Sequence, residues 1–233
     1  MNKSIKWGIG LLVVGATMTG TALAVKGPAY ISWQNGLHYG SYSKDSQSTD
    51  VTGGHLVNKG QDIHEVKVDM GSSDVTVQKG DHFAVYAKGM DKKDLDWTLK
   101  DGVLSVSEKG HPFTMHLGFS EFEQLVITVP SDVELDQISL SSDSGDQKIS
   151  GLTAKRLMVK NDSGDQNLKN VTVTQGGFIH NDSGDIHVSN SRLPELWSEN
   201  DSGDTHISKA YQQKSGNATP FRISNDSGDI ELD

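Results

Sequence analysis

The 233-residue chain has no cysteine. That excludes disulfides, thiol catalysis, cysteine-ligated zinc and a lipid-modified N-terminal cysteine. An exported form of the chain must then be held by packing and backbone pairing alone. Basic residues are also scarce: 21 Lys and Arg stand against 31 Asp and Glu, for a net charge of −10. A nucleic-acid binder needs a basic face to replace phosphate counterions, so nucleic acid is excluded as a partner. Arginine occurs only as Arg156, Arg192 and Arg222, in separate segments, which argues against the basic groove of a polysaccharide lyase. Hydrophobic residues make up 34% of the chain, too few for a Leu-rich helical bundle.

What is present begins at the N-terminus. Lys3 and Lys6 precede 19 uncharged residues, 7–25. As a helix these span about 28 Å, close to the hydrocarbon core of a bilayer. The leading lysines favour a cytoplasmic N-terminus and an extracytoplasmic remainder. Two readings compete: an uncleaved signal anchor in a cell membrane, and a signal peptide cleaved near Ala24 in the Ala22-Leu23-Ala24 pattern, giving a secreted chain. Apolar character running on to Val25 favours the anchor. Residues 26–60 are polar with no sustained period and read as a linker. Residues 61–130 carry short alternating segments between turn signals and read as β-rich opening layers or a cap.

A repeat fills residues 131–233. Asp143-Ser144-Gly145-Asp146 recurs as Asp162-Ser163-Gly164-Asp165, Asp182-Ser183-Gly184-Asp185, Asp201-Ser202-Gly203-Asp204 and Asp226-Ser227-Gly228-Asp229. Asn161, Asn181, Asn200 and Asn225 precede the last four copies, and Ser142 the first. Apolar residues recur at fixed offsets from each glycine: Leu140, Val159, Ile179 and Ile223 before it, Ile149, Leu168, Val188, Ile207 and Leu232 after it. Ser198 breaks the first series. Each copy therefore reads as strand, Asn-Asp-Ser-Gly-Asp corner, strand. One such unit cannot bury its inner face, but stacked units can. The expected fold is an all-β, β-helix-like β-solenoid of five repeats, with the corner residues in columns and asparagine as a structural ladder. Gly71-Ser72-Ser73-Asp74 looks like a degenerate copy. Residues 212–220 read as a loop extruded from one coil, and the strand ending at Leu232 as an open edge for weak self-association.

The ten corner aspartates are the strongest chemical feature. Stacked charges 4–5 Å apart repel by about 1 kcal/mol in water. Either the acids bond their own turns and face water near Lys148, Lys160 and Lys169, or they hold a cation such as Ca²⁺. His187 and His206, each three residues after its glycine, should be neighbours on the outer face, and zinc is the metal such a pair would suit. Trp197 and Phe178 share one phase and should stack on the flank or meet sugars. No catalytic residue is expected, since a motif present five times suits a ladder and not one pre-organised centre.

The membrane segment, the Asp101-Gly102-Val103-Leu104-Ser105-Val106 hairpin, the Ile127-Thr128-Val129-Pro130 strand end and the Ser-Gly-Asp series together resemble the bacterial putative-adhesin family, a domain of unknown function built of β-strand repeats. The resemblance spans about residues 60–233. It implies a β-solenoid-like fold outside the membrane and a non-enzymatic surface or envelope-binding role toward a protein or glycan. The alternative is an envelope-stress component that senses or scaffolds at the membrane.

Overall fold

The computed structural model describes residues 29–33, 37–41, 48–54, 56, 63–90, 92–109, 114–117, 123–212 and 219–233. In chain order the strands are β1 (Ala29–Trp33), β2 (Leu37–Ser41), β3 (Thr49–Asp50), β4 (Glu65–Met70), β5 (Asp74–Gly80), β6 (Ala84–Lys88) and β7 (Leu95–Lys100). There follow β8 (Val103–Glu108), β9 (Thr114–Leu117), β10 (Gln124–Pro130), β11 (Glu134–Ser142), β12 (Gln147–Ser150), β13 (Thr153–Asn161) and β14 (Gln166–Lys169). The last are β15 (Thr172–Asn181), β16 (Ile186–Ser189), β17 (Leu196–Asn200), β18 (Thr205–Ile207), β19 (Phe221–Asn225) and β20 (Ile230–Leu232). Among the described residues, no helix is long and apolar enough to cross a membrane; residues 7–25 lie outside them.

The chain divides into two compact units. The first, residues 1–46 and 110–121, contains an antiparallel sheet in the order β2-β1-β9. Residues 26–60, expected to be a linker, thus include the paired strands β1 and β2, and also β3, which pairs with β6. The period-2 signal is weak there, and the partner strand β9 lies far away in sequence.

The second unit, residues 47–109 and 122–233, holds two larger sheets around one core. One has nine strands in the order β18-β20-β16-β14-β12-β5-β10-β6-β3, the other eight in the order β17-β19-β15-β13-β11-β4-β8-β7. From β11 onward, consecutive strands alternate between the sheets. Each pair joined by a corner makes one rung, and rung pairs with rung in parallel. Inward positions alternate with outward ones, so Leu140, Val159, Ile179 and Ile223 form one buried column and Ile149, Leu168, Val188 and Leu232 another. Full burial of each such side chain stabilises by ~1.5–3 kcal/mol. The segment 71–74 is a rung corner: β4 and β5 stack on β11 and β12. Apart from β9, the strands of residues 61–130 thus form opening layers of the same two sheets, which end in the antiparallel strands β7 in one and β6 with β3 in the other.

The stacking order departs from chain order. The fifth repeat (β19, β20) inserts between the third (β15, β16) and the fourth (β17, β18). The strand ending at Leu232 is therefore internal, paired on both sides, and is not the open edge expected from sequence. The fourth repeat is the end rung. A 3-10 turn, Lys209–Tyr211, starts the return, and residues 213–218 of the expected extruded loop lie outside the described residues.

Candidate functional site

Each corner is built from three columns with separate duties. Gly145, Gly164, Gly184, Gly228 and Gly203 take φ between +103° and +127°, and a Cβ there would lie 2.1–2.7 Å from the carbonyl oxygen of the neighbouring corner. No other residue fits that approach.

The asparagine column donates. Asn161 Nδ2 donates to the Gly145 carbonyl at 3.0 Å, Asn181 to Gly164 at 3.0 Å, Asn225 to Gly184 at 2.9 Å and Asn200 to Gly228 at 3.0 Å. In the first corner the single Ser142 hydroxyl proton faces the Ser144 carbonyl of its own turn at 2.7 Å, with the Gly71 carbonyl further off at 3.2 Å. The Oδ1 atoms of these four asparagines are buried and accept no bond among the described residues. The position therefore uses a donor, which a carboxylate cannot supply.

The aspartate after each glycine accepts. The backbone N–H of Asp146 donates to the Asp74 carboxylate at 2.9 Å, that of Asp165 to Asp146 at 3.0 Å and that of Asp185 to Asp165 at 2.9 Å. Asp229 N–H donates to Asp185 at 2.8 Å and Asp204 N–H to Asp229 at 2.8 Å. Six carboxylates thus run in one line, and Asp74 is a member that sequence reasoning did not single out. Its signal was the degenerate Gly71–Asp74 copy.

The other aspartates, Asp143, Asp162, Asp182, Asp226 and Asp201, form an outer line. Two are paired with the residue two positions earlier: Lys160 Nζ to Asp162 at 3.1 Å, and His180 Nε2 to Asp182 at 2.9 Å, with His180 Nδ1 held 2.9 Å from Ser224 Oγ. The bond to Asp162, with Asp182 and Asp143 adding attraction, pushes the Lys160 ammonium pKa above its usual value. Lys160 is the expected counter-charge.

Among the described residues no three His, Asp or Glu side chains converge as they would around one metal ion. His187 and His206 are not adjacent. Glu231 stands in register between them, because β20 separates β16 from β18. His187 instead faces Glu231 at 3.2 Å and Asp233 at 3.6 Å. A shallow depression beside it is lined by Asp165, Asp185, Asp229 and Glu231.

The outer face of the eight-stranded sheet carries two exposed large hydrophobics, Phe178 (37% exposed) and Trp197 (47%), the two found among the described residues. They do not touch as neighbours. Arg222 lies in register between them, its guanidinium 5.5 Å from the centre of the Trp197 ring. Strand spacing sets the two aromatics about 10 Å apart, and the arginine makes the row amphipathic.

No curated protein matches the chain. Solved structures do. A structure described as a putative cell adhesion protein from Clostridium sporogenes aligns with TM-score 0.59 at 16% identity, over 74% of this chain and 94% of that one. A putative adhesin from Bacteroides fragilis aligns with TM-score 0.39 at 15% identity, over 82% and 98%. A putative lipid binding protein from Parabacteroides distasonis aligns with TM-score 0.30 at 13% identity, over 74% and 93%. The first of these shows the shared fold. The sequence profile of one family covers residues 63–233, the whole stack of rungs from β4 to β20, and the chain belongs to that family, Toastrack DUF4097.

Proposed function

We propose that this chain is a non-catalytic surface module of adhesin type, displayed outside a bacterial membrane and held there through residues 7–25. The rungs of residues 131–233 are read as a short β-solenoid with its last two coils exchanged in order. The observation that carries the reading is the use of the repeated polar groups. The corner glycines, the four corner asparagines and the second aspartates as far as Asp229 are engaged in joining one rung to the next. Repetition of one bond pattern through all the rungs supports a scaffold and leaves no single reacting centre. What remains for a partner is the outer surface.

On that surface the Phe178–Arg222–Trp197 row supports a ligand that offers flat, weakly polar faces along an extended axis, as the rings of a glycan do. The C. sporogenes protein described as a cell adhesion protein shares the fold, which agrees with this reading. The test is binding of the chain to arrayed glycans and immobilised matrix proteins, beside a pull-down from bacterial membranes. Adhesion predicts retention on the array that falls at least tenfold in the Trp197→Ala, Phe178→Ala double variant. Retention only by membrane proteins would favour the envelope-stress role, and unchanged binding by the double variant would remove the row as the contact.

A further inference from the structure

The two ends of the stack are unlike. At one end the sheets finish in antiparallel strands, β7 in one and β6 with β3 in the other. At the other end both sheets stop at the same rung, β17 and β18, and among the described residues the outer backbone edge of each is unpaired within the sheets. In the inner rungs the side chains in line with Leu196 (Ile138, Leu157 and Phe221) and with Ile207 (Ile149, Leu168, Val188 and Leu232) are buried, whereas these two are only partly covered. The inward side chains of this rung are Leu196, Ser198, Asn200, Thr205 and Ile207, set by register with buried Phe221, Ile223, Asn225, Ile230 and Leu232. None is charged. The inward charge that keeps sheet edges apart is missing.

We propose that this rung docks a second copy of the chain about a two-fold axis, β17 pairing antiparallel with β17 of the partner subunit and β18 with β18. Three observations select a second copy. First, antiparallel pairing centred on Ser198 sets Leu196 against the partner's Asn200, and Ser198 against the partner's Ser198. Centred on His206, it sets Ile207 against the partner's Thr205. Inward residues thus meet inward residues in both sheets at once, and the half-covered Leu196 and Ile207 become covered.

Second, the rung's two sides differ in charge. The corner side carries Glu199, Asp201 and Asp204, none of which forms an ion pair within the described residues. The far side carries Lys209 beside Glu195, and Arg192 lies one layer in, bridged to Thr172 of β15. Antiparallel pairing reverses one copy, so each acidic corner meets the other copy's Lys209. Third, a self-complementary strand edge closes after two copies. The same arrangement would bring the two aromatic rows onto one continuous face, which doubles the contacts open to a multivalent ligand.

The chain's lack of cysteine makes a direct test available. Ser198→Cys, in the full chain in mild detergent, places one thiol at the axis. Mild oxidation is expected to give a reductant-sensitive covalent dimer, while Thr98→Cys on β7, the edge strand at the opposite end, gives at least tenfold less. Independently, sedimentation should show the mass of the unmodified chain rising toward twice the protomer with concentration. Ser198→Lys, which points a charge inward at the edge, should remain at one protomer while its circular dichroism stays that of the parent. Equal cross-linking at both cysteines, a concentration-independent monomer, or adducts of Ser198→Cys with another protein and none with itself would each overturn the proposal.

Discussion

Phe221 and Gly177 lie side by side across the β15–β19 pair. The ring of Phe221 is fully buried, while a Cβ at Gly177 would meet the Leu157 backbone, so β15 lies close against β13 there. A large buried ring beside that glycine fills the layer to the density that interiors require. Leu196 of the fourth repeat, the alternative neighbour, would leave part of that space empty. The fourth repeat also offers Ser198 where the fifth offers Ile223. Both differences favour the fifth repeat as the inner rung. Phe221→Ala should therefore cost about 3–5 kcal/mol in urea unfolding, whereas Leu196→Ala, at the half-exposed end, should cost about 1 kcal/mol. Equal costs would mean that the fit at Gly177 does not set the order of the rungs.

Much of this architecture is legible in the sequence. The corner recurs with a period close to one rung, so inward and outward positions follow by counting from glycine, and Leu140, Val159, Ile179 and Ile223 fall in one column as the count requires. Rung order is not legible in that way, because a period records that units stack and not which unit stacks on which. From that one omission came the misplaced open edge at Leu232, the supposed contact of His187 with His206, and the missed Arg222 between Phe178 and Trp197. Ser198 was the available signal: a polar residue at an inward position belongs at an end. Strands β1 and β2 were missed because their alternation of apolar and polar residues is weak, and the second partner of β1, strand β9, is remote in sequence.

The asparagine and aspartate columns predict opposite responses to exchanging amide and carboxylate. Asn181→Asp removes the donor to the Gly164 carbonyl and sets a buried carboxylate against it. Leaving that carbonyl unpaired and burying a charge should cost about 3 kcal/mol or more. Asp185→Asn keeps an oxygen to accept the Asp229 N–H on an exposed edge, so its cost should be below about 1 kcal/mol. Thermal unfolding of the two variants side by side checks the assignment, and a reversal would invert the roles given to the columns.

The glycine column is the more demanding one. Gly184 combines φ +123° with a Cβ position 2.4 Å from the Gly164 oxygen, while Gly54, at φ +78°, has open space around it. Gly54→Ala should cost only the left-handed backbone penalty, about 1–2 kcal/mol. Gly184→Ala must in addition push two rungs apart, and should lose the cooperative unfolding transition or shift its midpoint several times further. Similar midpoints for both would show that the corners tolerate separation.

Calcium supplies a test of the acidic line. Each second-column carboxylate from Asp74 to Asp229 already accepts an N–H from the next rung, and no three ligands converge among the described residues. Ca²⁺ at about 5 mM should leave the melting temperature unchanged within about 1 °C, since only a ligand that binds the folded form raises it. A rise of several degrees, lost in Asp185→Asn, would show that the line binds cations after all.

The pH dependence of stability points to a different aspartate. Burial raises the Asp50 pKa, but its carboxylate accepts from the Thr52 hydroxyl at 2.8 Å and from the N–H groups of Thr52 and Gly54 at 2.8 Å each, and these bonds hold the group below its ordinary value of 3.8. A carboxyl whose folded pKa is depressed contributes stability that is complete above the unfolded value. That contribution is lost as pH falls from about 3.8 through the folded pKa. The turn it closes follows β3, the edge strand of the nine-stranded sheet. Asp50→Ala should consequently lower stability at pH 7 while flattening the decline below pH 4, so that the curves of parent and variant converge in acid. Parallel curves down to pH 2 would mean that the Asp50 bonds contribute nothing that protonation can remove, and that the edge is held by the β3–β6 pairing alone.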